Sequence, residues 1–135
     1  MFIDYRKAFD IVNHNTLLDK LKWFGSYLSH RCQTLSFIVL IDDLRAACEL
    51  HKFVDDTTLS ELIPSTGSGS NMSSYFTSVL TCIANNDVQI NTSKTKEMIN
   101  GSLNSIDLSS LSTSSGRPTV ERVATFKLLG IHLDQ

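Results

Sequence analysis

Apolar residues recur at three- and four-residue spacing in two stretches of this chain, and elsewhere they alternate with polar ones or form short runs. Leu17, Leu18, Leu21 and Phe24 share one face of a 3.6-residue helix. Asn13 or Asn15 can cap its start by accepting from an unpaired first-turn N–H, and Gly25 supplies a C-terminal stop. Tyr75, Phe76, Val79, Leu80 and Ile83 repeat the pattern behind Asn71, with Asn85 and Asn86 closing that helix.

The remaining pattern is mostly of strand type. Met1 to Tyr5, Leu50 to Val54, Thr57 to Leu62 and Val120 to Leu133 are short and β-prone. Val88 and Ile90, then Met98 and Ile99, alternate across a polar turn at Asn91 to Lys94 and predict a second hairpin. Phe37 to Leu44 reads equally as a buried strand or as the tail of a buried helix. Pro64 to Ser70 is a Ser/Gly loop, and the Ser-rich span 101–118 is a longer one in which Ile106, Leu108 and Leu111 touch the core lightly. With no internal repeat, this order predicts one α+β domain, a mostly antiparallel sheet with helices packed on one face.

Composition narrows the function classes. A chain of 135 residues is long enough for one small core, and its net charge of -2 gives no global attraction to nucleic acid, so any such contact needs a local patch. Cys32, Cys48 and Cys82 are far apart with no C-x-x-C pair, and nothing at the start resembles a signal peptide; reduced thiols in the cytosol or nucleus are expected. The longest apolar run, Phe37 to Ile41, is too short to span a bilayer, so no membrane is expected as partner. His14, His30, His51 and His132 lack metal-ligand spacing.

The candidate chemistry lies in carboxylates at strand ends. Asp55-Asp56 follows Leu50, Phe53 and Val54, and Asp4 follows Phe2-Ile3. The plain reading of Asp-Asp is a two-residue hairpin turn, since Asp tolerates positive φ. The sharper one is a site for hard divalent cations, which take oxygen ligands from carboxylates and phosphates and relieve repulsion between clustered acids. Neighbouring strands could bring Asp4 to the Asp55-Asp56 turn. Phe9 reads as a core aromatic, Asp10 as an N-cap, and Lys94 as a solvated lysine or a phosphate partner.

Six segments, taken in order, carry a resemblance. Phe2-Ile3-Asp4-Tyr5-Arg6-Lys7-Ala8-Phe9-Asp10-Ile11-Val12-Asn13-His14 resembles the F-x-D-x-x-K-A-F-D-x-V-x-H segment, motif A, of reverse transcriptases encoded by non-LTR (LINE-type) retrotransposons. Trp23 to Arg31 resembles the W-x-x-S-Y-L-S-x-R stretch after it, and Phe37 to Leu44 the L-F-x-L-x-I-N-D-L segment. Lys52 to Leu59 resembles the K-F-A-D-D-T-x-L hairpin of motif C, Ile90 to Ile99 the motif D region, and Val120 to Asp134 the V-x-x-F-K-Y-L-G-V-x-L-D strands. The chain thus divides into a motif A-like part (1–14), a motif C-like hairpin (48–62), a motif D-like part (86–100), the Ser-rich loop (101–118) and palm-like strands (119–135).

The resemblance implies a partial reverse transcriptase palm. In the family, the residues matching Asp4, Asp55 and Asp56 hold two Mg²⁺ ions for nucleotidyl transfer of dNTPs onto a primer 3′-hydroxyl along an RNA template. Phe9 matches the aromatic that excludes a ribose 2′-hydroxyl, with Tyr5 and Ala8 beside it on the substrate side. Lys94 matches the lysine that assists pyrophosphate departure. Phe126 to Leu133 matches the region that guides the DNA primer end.

The pattern also departs from the family. The G-x-P-Q-G-S-x-L-x-P segment, motif B, which contacts template and incoming nucleotide, has no counterpart between Gln33 and Thr34, and fingers, thumb and endonuclease are not represented. The expectation is therefore no primer extension by this chain alone, because metal ligands without substrate positioning lack most of what gives rate. Two alternatives stand beside it: a non-catalytic α+β remnant without specific metal binding, and a receiver-type Mg²⁺-binding signalling domain, which would need regular β-α alternation.

Overall fold

The computed structural model describes residues 1–8, 10, 12–23, 33–64, 69–101 and 120–135. Chain order runs β1 (Phe2–Ile3), α1 (His14–Trp23), α2 (Gln33–Leu40), β2 (Glu49–Phe53), β3 (Asp56–Ser60), α3 (Met72–Asn85), β4 (Lys96–Glu97), β5 (Glu121–Arg122), β6 (Thr125–Leu128) and β7 (Ile131–Asp134). Strands order as β2-β3-β1-β4-β5 in one sheet, with β6 and β7 forming a separate two-stranded sheet. Pairing is antiparallel except between β4 and β5, which run parallel. The result is a small α+β fold on a mixed sheet.

Strand periodicity decides what each face carries. Met1, Ile3 and Tyr5 are buried with Thr57 and Leu59 on one face, while the intervening Phe2, Asp4, Asp56 and Thr58 lie on the other. The first face packs against α2 and α3 through Phe37, Leu40, Phe76, Val79 and Ile83. Tyr5 meets the Phe37 ring edge-on, with centroids 5.2 Å apart. No helix among the described residues is long and apolar enough to cross a membrane.

Phe37 to Leu44, open on sequence, is the second half of α2 and the turn after it. Phe37, Leu40, Ile41 and Leu44 are the buried positions, an i, i+3, i+4, i+7 set that only a helical path aims at one core. Its terminal carbonyls are satisfied from outside: Lys20 on α1 donates to Leu40 O and to the Asp43 carboxylate (2.7 Å), and Lys52 on β2 donates to Ile41 O (3.1 Å) and Asp42 O (3.0 Å).

At α1 the cap is Asn13, whose Oδ1 accepts from the backbone of Asn15 (3.0 Å) and Thr16 (3.2 Å). Asp10, expected as a cap, instead closes a preceding turn by donating its N–H to Lys7 O (3.0 Å). Phe24, Gly25, His30 and Cys32 lie outside the described residues, while Cys48 and Cys82 are free thiols. Asn71 occupies the N-cap of α3 but makes no side-chain capping bond. Ser70 Oγ instead accepts from the first-turn Met72 N (3.1 Å), and Glu61 steadies that end by accepting from the Ser70 hydroxyl (2.6 Å) and from Asn71 N (2.9 Å).

Two turns differ from expectation. The β2–β3 hairpin pairs Phe53 with Asp56, so its two-residue turn is Val54-Asp55, not Asp55-Asp56. The positive φ, +56°, falls on Val54, a β-branched residue for which that region is a steric outlier. Asp56 is thereby the first rung of β3. The predicted hairpin between Val88–Ile90 and Met98–Ile99 does not form; both flanks pair with the β1 segment instead, Ile90 opposite Tyr5 and Lys96 opposite Phe2. Residues 91–95 are an excursion between those two pairings, folded back by bonds from Lys94 N and Thr95 N to Asn91 O. The 101–118 loop, with Ile106, Leu108 and Leu111, falls outside the described residues beyond Gly101.

The chain end adds to both faces of the sheet, Val120 joining the helix-side core and Phe126 covering the other face. Val120 is buried, and β5 is fastened to β4 by Lys96–Glu121 (2.6 Å) and Arg122–Glu97 (2.8 Å). The β6–β7 hairpin turns at Leu129 (φ +49°) and Gly130 (φ +86°), consecutive positive values that match the right-handed twist of its strands. Among the described residues no ladder joins it to the larger sheet. Phe126 instead stacks on Phe2, with ring centroids 4.2 Å apart and planes 6° from parallel.

Candidate active site

The register of β1 on β3 builds the site. Phe2 pairs with Thr58 and Ile3 with Thr57, so the same register one residue on sets Asp4 opposite Asp56. Residues opposite one another in an antiparallel pair share a face, with Cβ atoms about 5 Å apart. Two carboxylates therefore meet on the side away from the helices.

Asp4 is held by its backbone on the edge that faces residues 91–95. Its carbonyl accepts from Asn91 N (2.8 Å), and its N–H donates to Thr95 Oγ1 (3.3 Å). Thr95, fully buried, donates its own hydroxyl proton to Asn91 O (2.9 Å). These bonds tie the excursion carrying Ser93 and Lys94 to the residue carrying the first carboxylate.

Beside them opens a cavity of about 360 Å³ whose walls include Asp4, Asp56, Ser93, Lys94 and Lys127, with the stacked Phe2 and Phe126 also in its lining. Lys96 lines it too, but its ammonium is taken by Glu121 at 2.6 Å. Burial, then the charges of Asp55 and Asp4, push the Asp56 carboxyl above the usual range. Both other acids thus act on Asp56 across the Val54-Asp55 turn and the β1–β3 pair.

Of the residues predicted from sequence, Asp4, Asp56 and Lys94 come together on this cavity. Asp55 stays in the turn, outside the lining but close enough for its charge to reach Asp56. Tyr5 and Ala8, expected on the substrate side, are placed elsewhere, buried in the core on the helix side of the sheet. The Tyr5 hydroxyl donates to Thr57 Oγ1 at 2.9 Å, and burial pushes its pKa up to about 12. Phe9 lies outside the described residues.

Ser93 and Lys96 were not anticipated as site residues, and Lys127 was expected only as part of the Phe126 to Leu133 segment. The even-numbered alternation of Phe2 and Asp4 against Asp56 and Thr58 was the available signal for this face; for Lys127 it was the resemblance of Phe126 to Leu133 to the primer-end region.

As donors, the carboxylates suit a hard divalent cation, whose charge would relieve the repulsion that raises Asp56. Among the described residues, however, no three histidine, cysteine or acidic side chains form a ready ligand group. The arrangement is a two-carboxylate rim with a third acid at its turn and Lys94 and Lys127 on the same cavity. No protein-family model, curated protein or solved structure matches the chain.

Proposed function

We propose that this chain is a partial palm module of a non-LTR retrotransposon reverse transcriptase. The observation that carries the reading is the β1–β3 register, which sets Asp4 against Asp56 on a cavity that Lys94 also lines. Motif resemblance named those residues, and the fold draws Asp4, Asp56 and Lys94 together from three separate parts of the sequence.

In the intact family this set holds two Mg²⁺ ions, which activate the primer hydroxyl and neutralise the triphosphate. In this chain Asp4 and Asp56 would hold a cation, with Asp55 adding negative charge at the turn. Lys94 would offer a positive charge or a proton to a phosphate in the cavity. Motif B has no counterpart, so the chain is assigned cation binding without polymerase turnover.

One observation favours a second reading, a non-catalytic α+β remnant: no three-ligand group is formed among the described residues. Calorimetric titration with Mg²⁺ and Mn²⁺ separates the two. The palm reading expects binding that Asp4→Asn and Asp56→Asn each abolish, and no primer extension on an RNA template. Absence of binding, or binding indifferent to both substitutions, supports the remnant.

A further inference from the structure

We propose that Asn100 is a deamidation site, converted through a cyclic imide to aspartate and isoaspartate. The inference does not depend on the proposed function. In the first step the backbone nitrogen of Gly101 attacks Cγ of Asn100. The new N–Cγ bond forms, the bond from Cγ to the side-chain nitrogen breaks, and that nitrogen leaves as ammonia with the proton from the Gly101 N–H. Water then adds across either carbonyl–nitrogen bond of the five-membered imide, giving aspartate or isoaspartate with no change of oxidation state.

The reaction needs an amide nitrogen not engaged in a hydrogen bond, a side chain free to swing, and no bulk on the following residue. Asn100 and Gly101 are both exposed and lie outside any helix or strand. Gly101 has φ +109°, with nothing within 4 Å of the place a Cβ would take. Among the described residues neither the Asn100 side chain nor the Gly101 N–H makes a hydrogen bond.

Three other asparagines, Asn13, Asn86 and Asn91, are restrained. Asn13 accepts from two helix N–H groups and donates to Asp87 (2.6 Å). Asn86 is buried and donates to Asp43 (3.2 Å) and Cys82 O (3.0 Å), and Asn91 accepts from Ser93 (2.7 Å). Their side chains would have to leave these partners before an imide could close.

The position gives the change a structural consequence. Asn100 lines a second cavity, of about 480 Å³, together with Glu61, Glu97, Met98 and Leu133. Either product adds a negative charge to a wall that already holds two acids. Isoaspartate also lengthens the main chain by one methylene just beyond β4.

The test follows the full chain at mildly alkaline pH, native and urea-unfolded in parallel, by peptide mapping with fragmentation and by isoaspartyl methyltransferase labelling. Asn100 is expected to react in the native chain within about twofold of its unfolded rate, because no opening step precedes attack. Asn13, Asn86 and Asn91 are expected to be slowed on the order of tenfold or more by folding. Asn100→Gln should remove the signal and Gly101→Ala should slow it. Protection of Asn100 equal to that of Asn91, or a signal that survives in Asn100→Gln, would overturn the proposal.

Discussion

Tyr5 and Thr57 form a buried hydroxyl pair directly beneath the carboxylate rim, since each is the chain neighbour of a rim acid, Asp4 or Asp56. Tyr5→Phe leaves the Thr57 hydroxyl without its phenolic donor at 1% exposure, and Thr57→Val leaves the Tyr5 hydroxyl unpaired at 5%. Stranding one buried partner costs about 1–3 kcal/mol, whereas replacing both with apolar groups of similar shape is close to neutral. Each single variant should therefore melt roughly 3–9 °C lower, taking about 3 °C per kcal/mol for a domain of this size. The double variant should recover most of that loss, so that the coupling in a double-mutant cycle read by chemical denaturation approaches the sum of the two single costs, roughly 2–6 kcal/mol. The pair also predicts a pH effect. The folded phenol holds its proton more tightly than an exposed one, so its contribution is complete below the ordinary value of 10.0 and is lost as pH rises toward about 12. That alkaline loss should vanish in Tyr5→Phe. A Tyr5→Phe cost below about 0.5 kcal/mol, or additive singles, would show that the hydroxyls are not a buried pair.

Two further outcomes follow from the rim and the hairpin. Because Asp56 is raised by burial and by Asp55 and Asp4, its ionisation weakens the fold: stability is greatest below its unfolded value and falls as pH rises through the folded one. Asp56→Asn should flatten that slope and gain a few tenths of a kcal/mol at neutral pH, measured by urea denaturation without divalent ions; a loss of stability there would contradict the repulsion. Phe126→Ala should remove about 0.5–1.5 kcal/mol of ring stacking beyond the area lost and shift the Phe2 ring resonances by NMR, while leaving amide exchange in β1 and β3 unchanged; unchanged Phe2 resonances would mean the stack does not form.

Much of the fold was legible because its signals were local. The α3 stripe, the Leu17 and Leu21 part of the α1 stripe, the Asn13 cap and the β2–β3 strands follow from residues within a turn or two of one another, whereas Leu18, expected on the same face, is exposed. What was missed was decided at a distance. Ser70, its hydroxyl held by Glu61 nine residues earlier, accepts the first-turn Met72 N–H, while the Asn71 side chain makes no capping bond. The hairpin expected across Asn91–Lys94 loses to β1, which offers both flanks a partner and is gripped at Asp4 by Asn91 and Thr95. Turn preference favours positive φ at Asp55-Asp56, yet the sheet puts it on Val54.

That last displacement bears on the site itself. Moving the turn back one residue costs backbone strain at a β-branched position, of order 1–3 kcal/mol, and no local propensity favours it. What it achieves is to place Asp56 inside the β3 ladder, where the sheet fixes its direction, and opposite Asp4 on the face that Lys94 shares. Had the turn fallen on Asp55-Asp56, both acids would have sat on a loop with no strand to aim them. The strain at Val54 comes with the β2–β3 pairing that starts β3 at Asp56, and the separate register of β1 on β3 then turns two acids distant in sequence into neighbours.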